Sequence, residues 1–197
     1  MNLPAWINKS PNRPPNDEIG TEYFWEICSA VGHLTSTWER CEHSLSLLYA
    51  SMFPGSFNEA KRSFGSILGS GARCDMVAAA SAGQNDRVTD LLKAYRRISS
   101  IRNNIAHGMI LNEKEKFYEE CDLSSPRGNF YVVPALYNEN KMGDYGIPKI
   151  FYNAKTLTEI TIVITHLIKE CQEIAFDNSS PSPSTENGLM RYLIWKK

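Results

Sequence analysis

The amino-acid sequence predicts an all-α fold, an antiparallel helical bundle with a small β-ribbon inserted before the last helix. Residues 19–53 and 86–106 carry apolar side chains in steps of three and four, which is the spacing of one helix face. A third pattern of this kind ends near residue 176. Between the second and third patterns, residues 109–152 contain short stretches rich in β-branched and aromatic residues, which predict strands.

Length and composition fit one domain with irregular ends. The chain has 197 residues, 42% of them hydrophobic, which suffices for one core and is short for two independent ones. We expect an extended N-terminal arm over residues 1–18, a helical domain over residues 19–176 and a flexible C-terminal tail over residues 177–197. The arm is rich in proline and the tail in serine and proline, compositions that disfavour packing into a core.

Charge and cysteine content exclude several classes of protein. With 21 basic and 22 acidic residues the net charge is −1, so no global field attracts nucleic acid or an anionic membrane. The five cysteines are widely spaced and form no C-x-x-C pair, which argues against a disulfide framework or a zinc site and favours reduced thiols. Without a secretory pattern or a long apolar run, we expect a cytoplasmic protein with no membrane partner. The histidines have no ligand partner at helical spacing and no phosphate-loop pattern is present, so we expect neither a metal nor a cofactor.

The spacing of apolar residues and the capping residues predict where the helices begin and end and which positions face the core. Pro54-Gly55 ends the first long helix, and two shorter helices are expected at 57–68 and 73–82, separated by Gly69-Ser70-Gly71. Thr156 and Glu159 match a capping box in front of the last helix. The expected core stripe of the first helix is Ile27, Val31, Leu34, Trp38, Cys41, Leu45, Leu48 and Met52, and that of the last is Ile160, Val163, Leu167, Cys171 and Ile174.

The helix over residues 86–106 has an arginine in an inward-facing position. Its apolar stripe is Leu91, Tyr95, Ile98 and Ile105, and the step between the last two falls on Arg102. A guanidinium in such a position requires a carboxylate, a partner subunit or a ligand phosphate, because its desolvation is costly. Glu42 is the best intramolecular counter-charge, and Glu39 is the second.

The segment R-N-N-I-A-H-G at residues 102–108 closes this helix and has two interpretations. A histidine near a helix C terminus interacts favourably with the helix dipole, and Gly108 suits a left-handed capping position, so the segment is explained as a helix end. The inward Arg102 favours the alternative, a catalytic or binding motif.

These seven residues resemble the signature of HEPN (higher eukaryotes and prokaryotes nucleotide-binding) domains. In that signature an arginine, usually followed by a polar residue, precedes a histidine at a helix end, and Arg102, Asn103 and His107 match these positions. The W-x-x-C-E-x-x-L run that begins at Trp38 also resembles the first-helix pattern of such domains, with Glu42 as its acidic residue. The resemblance covers the helical domain as helix order, whereas the β-ribbon and both tails have no clear counterpart.

The resemblance implies a homodimer whose paired motifs line a shared cleft. Many members of the family are metal-independent ribonucleases of toxin–antitoxin, abortive-infection or other defence systems. Others have lost activity, so the alternative is a catalytically silent module that binds a nucleotide or protein and uses Arg102 and Glu42 to hold its dimer. A further alternative is the toxin of a toxin–antitoxin pair, with its site masked or modified by an antitoxin or another regulatory protein.

The residue types of the motif suit cleavage of RNA without a metal. His107 can act as general base or acid because imidazole changes charge near working pH, and Arg102 can bind phosphate oxygens bidentately. Asn103 lies four residues before His107, so both share a helix face, and the asparagine can orient the substrate or the imidazole. The products of such cleavage are a 2′,3′-cyclic phosphate and a 5′-hydroxyl.

Helix geometry points to a composite site in a dimer. Arg102 and His107 are five residues apart, about 140° around the axis and about 7.5 Å along it, so a regular helix does not place them side by side. Either the helix frays at Gly108 or the partner supplies the second group, and a two-fold axis also presents two histidines. Lys93, Arg96 and Arg97 on the same helix are weaker candidates for RNA binding, and a solvated helix face explains them equally well.

Overall fold

The computed structural model describes residues 19–81, 86–112, 127–134 and 149–178. These residues are mostly helical, as predicted, and include a small antiparallel sheet. The helices are α1 (Phe24–Met52), α2 (Phe57–Ser66), α3 (Ser70–Ala80), α4 (Asp86–Ala106) and α5 (Ala154–Asn178), and the strands are β1 (Thr21–Tyr23), β2 (Met109–Asn112) and β3 (Arg127–Val133). The predicted N-terminal arm and the tail beyond residue 178 lie outside the described residues.

The predicted core stripe of α1 is largely confirmed, but its start is corrected. Six of the eight predicted positions are buried, namely Ile27, Leu34, Trp38, Cys41, Leu45 and Leu48. The helix begins at Phe24 and not at Ile19, because the residues before it form β1. Thr21 of this strand pairs with Phe130 of β3.

The two short helices agree with the prediction except at the break between them. Ser56 and Glu59 form a capping box at the start of α2: the Glu59 amide donates to Ser56 Oγ at 3.3 Å, and the Ser56 amide donates to Glu59 Oε2 at 2.8 Å. These hydrogen bonds from Ser56 lower the pKa of the Glu59 carboxyl. The next helix, α3, already begins at Ser70, so Gly71 lies within it.

The predicted β-ribbon is part of a three-stranded antiparallel sheet. The strand order is β1-β3-β2, and Met109 of β2 faces Val133 of β3. The third strand is β1, and this corrects the prediction that residues 21–23 belong to the first helix. At the end of the predicted ribbon, Tyr152 forms only an isolated bridge, in which Tyr152 and Val132 exchange two backbone hydrogen bonds of 2.8 Å.

The start of α5 also corrects the prediction. Asn153 precedes the helix, and its Oδ1 accepts a hydrogen bond of 2.9 Å from the Thr156 amide. The predicted Thr156–Glu159 capping box is therefore wrong, because Asn153 caps the helix three residues earlier. The predicted core stripe of this helix is buried throughout, and the helix ends at Asn178, two residues beyond the predicted end.

The chain divides into two compact units. Of the described residues, unit 1 contains those within 39–96 and 165–178, and unit 2 contains those within 19–38 and 97–164. Unit 2 thus holds the whole sheet and the Arg102–His107 motif. In this unit Leu111, Tyr131 and Val133 form a buried cluster against which Phe151 packs. None of the described helices is long and apolar enough to cross a membrane.

Candidate functional site

The motif lies at the C-terminal end of α4, where the backbone remains helical up to the histidine. The His107 amide donates to Asn103 O at 3.2 Å, an ordinary helical bond, and the Gly108 amide donates to Ile105 O at 3.0 Å. The second bond spans three residues and tightens the last turn. The separation of about 140° between Arg102 and His107 therefore applies, because the helix does not fray before the histidine.

Arg102 is half-buried in unit 2 and is positioned by two neighbours. Its Cζ lies 6.0 Å from the centre of the Trp38 ring, which is within the range of a cation–π contact. Its Nη1 donates to Asn103 Oδ1 at 3.3 Å, and its Nε is buried. The predicted inward register of Arg102 thus takes the form of packing against an aromatic ring of α1.

Asn103 and His107 are both exposed, four residues apart on one face of the helix end. Since Arg102 donates a hydrogen bond to the Asn103 side chain, the asparagine connects the half-buried guanidinium to the exposed face. The structure therefore presents an amide and an imidazole to solvent, with a fixed positive charge behind the amide. This arrangement can bind an anion and exchange a proton with it.

Gly108 is required for a different reason from the one predicted. Its φ does not lie in the left-handed range, so the expectation of a left-handed cap is wrong. A Cβ at this position would lie 2.5 Å from Val133 O and 2.8 Å from Asn104 O, both backbone atoms. The glycine therefore lets the end of α4 approach β3 closely, and it fixes the motif against the sheet.

Asn104 is a residue of this helix end that the sequence analysis missed. It is only 3% exposed, and its Nδ2 donates to Tyr152 Oη at 3.4 Å. Burial raises the pKa of Tyr152 to about 12, while the hydrogen bond with Asn104 lowers it. The signal in the sequence was the position of Asn104 one turn after the buried Ile101, although an asparagine there is usually interpreted as a surface residue.

Glu42 lies in unit 1 and has partners that the sequence analysis did not consider. Its Oε2 forms a 2.7 Å salt bridge with Arg73 Nη1 of α3, and its Oε1 accepts a hydrogen bond from the Tyr95 hydroxyl of α4. Arg73 also donates through Nε to Ile67 O at 2.8 Å. The sequence favours Glu42 over Glu39 as the counter-charge of Arg102, and in unit 1 the cation that Glu42 binds is Arg73. A direct role of Glu42 beside the motif stays a prediction.

Burial around Glu42 keeps neighbouring groups protonated. Burial and the Glu42 carboxylate raise the pKa of the Tyr95 hydroxyl far above its usual value, so Tyr95 remains a donor. Burial, aided by Glu42, also raises the pKa of the Cys41 thiol, and burial raises the pKa of Cys74 to about 11. Both cysteines are free thiols, and as buried neutral groups they are poor nucleophiles.

The basic residues considered for RNA binding are exposed. Lys93 forms an ion pair with Asp90 at 3.1 Å, and Arg96 forms one with Asp75 at 2.6 Å. These carboxylates offset part of the positive charge of the two side chains. The exposed Arg97 belongs to unit 2, like the motif. A contribution of Lys93, Arg96 and Arg97 to RNA binding stays a prediction.

A small cavity of about 220 Å³ in unit 1 is lined by residues outside the motif, namely Arg87, Asp90, Leu91 and Glu170. Arg87 is held there by carboxylates, including Glu170 at 3.0 Å and Glu173 at 3.4 Å. The guanidinium is already surrounded by negative charge, so this cavity does not suit a phosphate. Within the described ranges, no group of histidine, cysteine and acidic side chains is placed to hold a metal ion.

Comparison of the chain with protein-family models, curated proteins and solved structures finds no match. The HEPN interpretation therefore stays a prediction from the motif and the helix order of the sequence.

Proposed function

We propose that this protein is a metal-independent endoribonuclease of the HEPN type, acting as a homodimer with a composite site. The observation that carries the proposal is the joint placement of three motif residues at the end of α4. Asn103 and His107 are exposed on one face, and Arg102 is hydrogen-bonded to the asparagine. A guanidinium, an amide and an imidazole in this arrangement match the needs of phosphodiester cleavage.

In the proposed reaction His107 removes the proton from the 2′-hydroxyl of the RNA. The 2′-oxygen then attacks phosphorus and forms a P–O bond, while Arg102 stabilises the charge that develops on the phosphate oxygens. The bond from phosphorus to the 5′-oxygen breaks, and a second imidazole donates a proton to that leaving oxygen. This sequence leaves a 2′,3′-cyclic phosphate and a 5′-hydroxyl.

The composite site follows from the helix geometry. Because α4 is helical through the His107 amide, Arg102 and His107 of one chain point in directions about 140° apart. A two-fold axis beside the helix end supplies a second copy of each residue, including the second imidazole that acts as the acid. We further propose a role in toxin–antitoxin or anti-phage defence, with an antitoxin or regulatory protein as partner, on the resemblance to the family alone.

The proposal predicts that the purified protein cleaves RNA in the presence of EDTA. The assay is incubation with total RNA and tRNA, followed by analysis of the fragment ends. The expected products carry 2′,3′-cyclic phosphates and 5′-hydroxyls. Cleavage that requires an added divalent metal, cleavage that leaves 3′-hydroxyls, or intact RNA after incubation with the folded dimer contradicts the proposal.

A further inference from the structure

An exposed aromatic and cationic cluster lies at the start of α1 in unit 2. Trp25 is 63% exposed, whereas Trp38, thirteen positions further along the sequence, is 2% exposed. The Trp25 ring lies 6.1 Å from the Tyr23 ring at an interplanar angle of 37°. The guanidinium of Arg127 lies over the Tyr23 ring, with its Cζ 5.4 Å from the ring centre. We call these three residues the Trp25 platform.

The sheet holds two members of the platform in register. Tyr23 of β1 pairs with Arg127 of β3, so the contact between ring and guanidinium is built on adjacent strands. The side chain of Arg127 is 72% exposed, and the nearby Glu22 carboxylate lies 3.9 Å from its Nε. An ion pair of that length between exposed groups is weak.

We propose that the Trp25 platform binds unpaired nucleotides of a single-stranded RNA. The exposed Trp25 ring can stack on a base whatever its sequence, and the nearby Arg127 can both stack and attract phosphate. A surface for another protein is the less favoured occupant, because the exposed guanidinium lies directly over one of the rings, where an apolar partner would have to desolvate it. The choice of RNA as the ligand rests on the proposed ribonuclease function.

The sheet also relates the platform to the motif. Strand β2 begins at Met109, directly after the motif, and Met109 pairs with Val133 at one end of β3. Arg127 begins the same strand, six residues away, which corresponds to about 20 Å along an extended chain. A single strand that spans several nucleotides can therefore contact the motif and the platform together. The platform would hold bases at a distance from the cleaved phosphate.

The test is binding of a fluorescent single-stranded RNA of about 12 nucleotides, a length within known single-strand site sizes. Its 2′-hydroxyls are methylated so that the dimeric protein cannot cleave it. Trp25→Ala is expected to weaken binding by about 5- to 150-fold, the effect of losing one stacked base. Trp25→Phe retains a ring and is expected to keep most of the affinity. Phe176→Ala is the matched control, because Phe176 is 62% exposed and lies in unit 1.

Three results would overturn the inference: unchanged binding by Trp25→Ala, equal weakening by Phe176→Ala, or a change of oligomeric state on loss of Trp25, which would mark an interface between copies. The assay is also separable from the ribonuclease proposal. Binding that depends on Trp25, without cleavage of natural RNA, supports the platform and refutes the ribonuclease. Cleavage of RNA with no role for Trp25 in binding refutes the platform alone.

Discussion

Replacement of His107 by alanine is expected to lower the rate of RNA cleavage by at least about 10²- to 10⁴-fold, the usual contribution of one general acid or base, because the variant homodimer lacks both imidazoles. His107 is exposed at the end of α4, and its amide hydrogen bond to Asn103 O does not depend on the imidazole. The substitution therefore removes proton transfer and leaves the helix end in place. Single-turnover cleavage of a defined RNA in EDTA measures the loss.

The matched control for this experiment is His33→Ala. His33 is an exposed histidine of α1, and its side chain has no assigned role in the reaction. The control variant is expected to cleave RNA at the rate of the parent protein, and both variants are expected to keep the parent's circular dichroism and oligomeric state. If His107→Ala retains full activity, His107 is not the acid or base. If it loses the dimer and no activity is detectable in the parent, the silent scaffold replaces the enzyme.

Replacement of Glu42 by alanine is expected to destabilise the protein by about 3 kcal/mol, the lower end of the range for breaking a buried ion pair. The carboxylate is buried and binds both Arg73 and the Tyr95 hydroxyl, so its loss leaves two polar groups without their acceptor. The lower end applies because the Arg73 side chain keeps 22% of its surface exposed and can recover some hydration. Urea unfolding followed by circular dichroism measures the change.

An exposed ion pair provides the control for Glu42. Asp75→Ala removes the partner of Arg96, and since both side chains are largely exposed the expected loss is at most about 1 kcal/mol. Tyr95→Phe removes only the hydroxyl donor and is expected to cost an intermediate amount, about 1–3 kcal/mol. Equal losses for Glu42→Ala and Asp75→Ala would show that the Glu42 cluster contributes no more than a surface pair.

The helices were predictable because their burial repeats along the chain. Every third or fourth residue of α1 and α5 faces a core, so local spacing alone identifies positions such as Leu45 and Leu167. Strand β1 was not predictable in this way, because Thr21–Tyr23 is three residues long and its pairing partner lies more than a hundred residues further along the chain. The start of α5 was mispredicted for a different reason. Asn153 and Thr156 lie within one turn and are both residue types suited to capping, and the structure shows that Asn153 is the one used.

The candidate site was predictable as a motif but not as a set of contacts. Arg102 was recognisable because it interrupts an apolar stripe, and its half-buried position in the structure agrees with that register. Its contact with Trp38 and the link between Glu42 and Arg73 depend on which helices meet, which residue spacing does not specify. Gly108 was expected to provide a left-handed cap. Its observed role is to permit the close approach of β3, which is visible only in three dimensions.

The most direct test of the composite ribonuclease site is the activity of mixed dimers. Arg102→Ala and His107→Ala chains, each inactive as a homodimer, are co-expressed with different tags, and the dimer that contains one of each is purified. A site that combines Arg102 of one chain with His107 of the other is expected to cleave RNA in EDTA faster than either parent homodimer, because the mixed dimer retains one of each residue. It is expected to remain slower than the wild-type dimer, because the second imidazole that protonates the leaving oxygen is missing. A mixed dimer as inactive as both parents, beside an active wild-type dimer, would contradict the composite site.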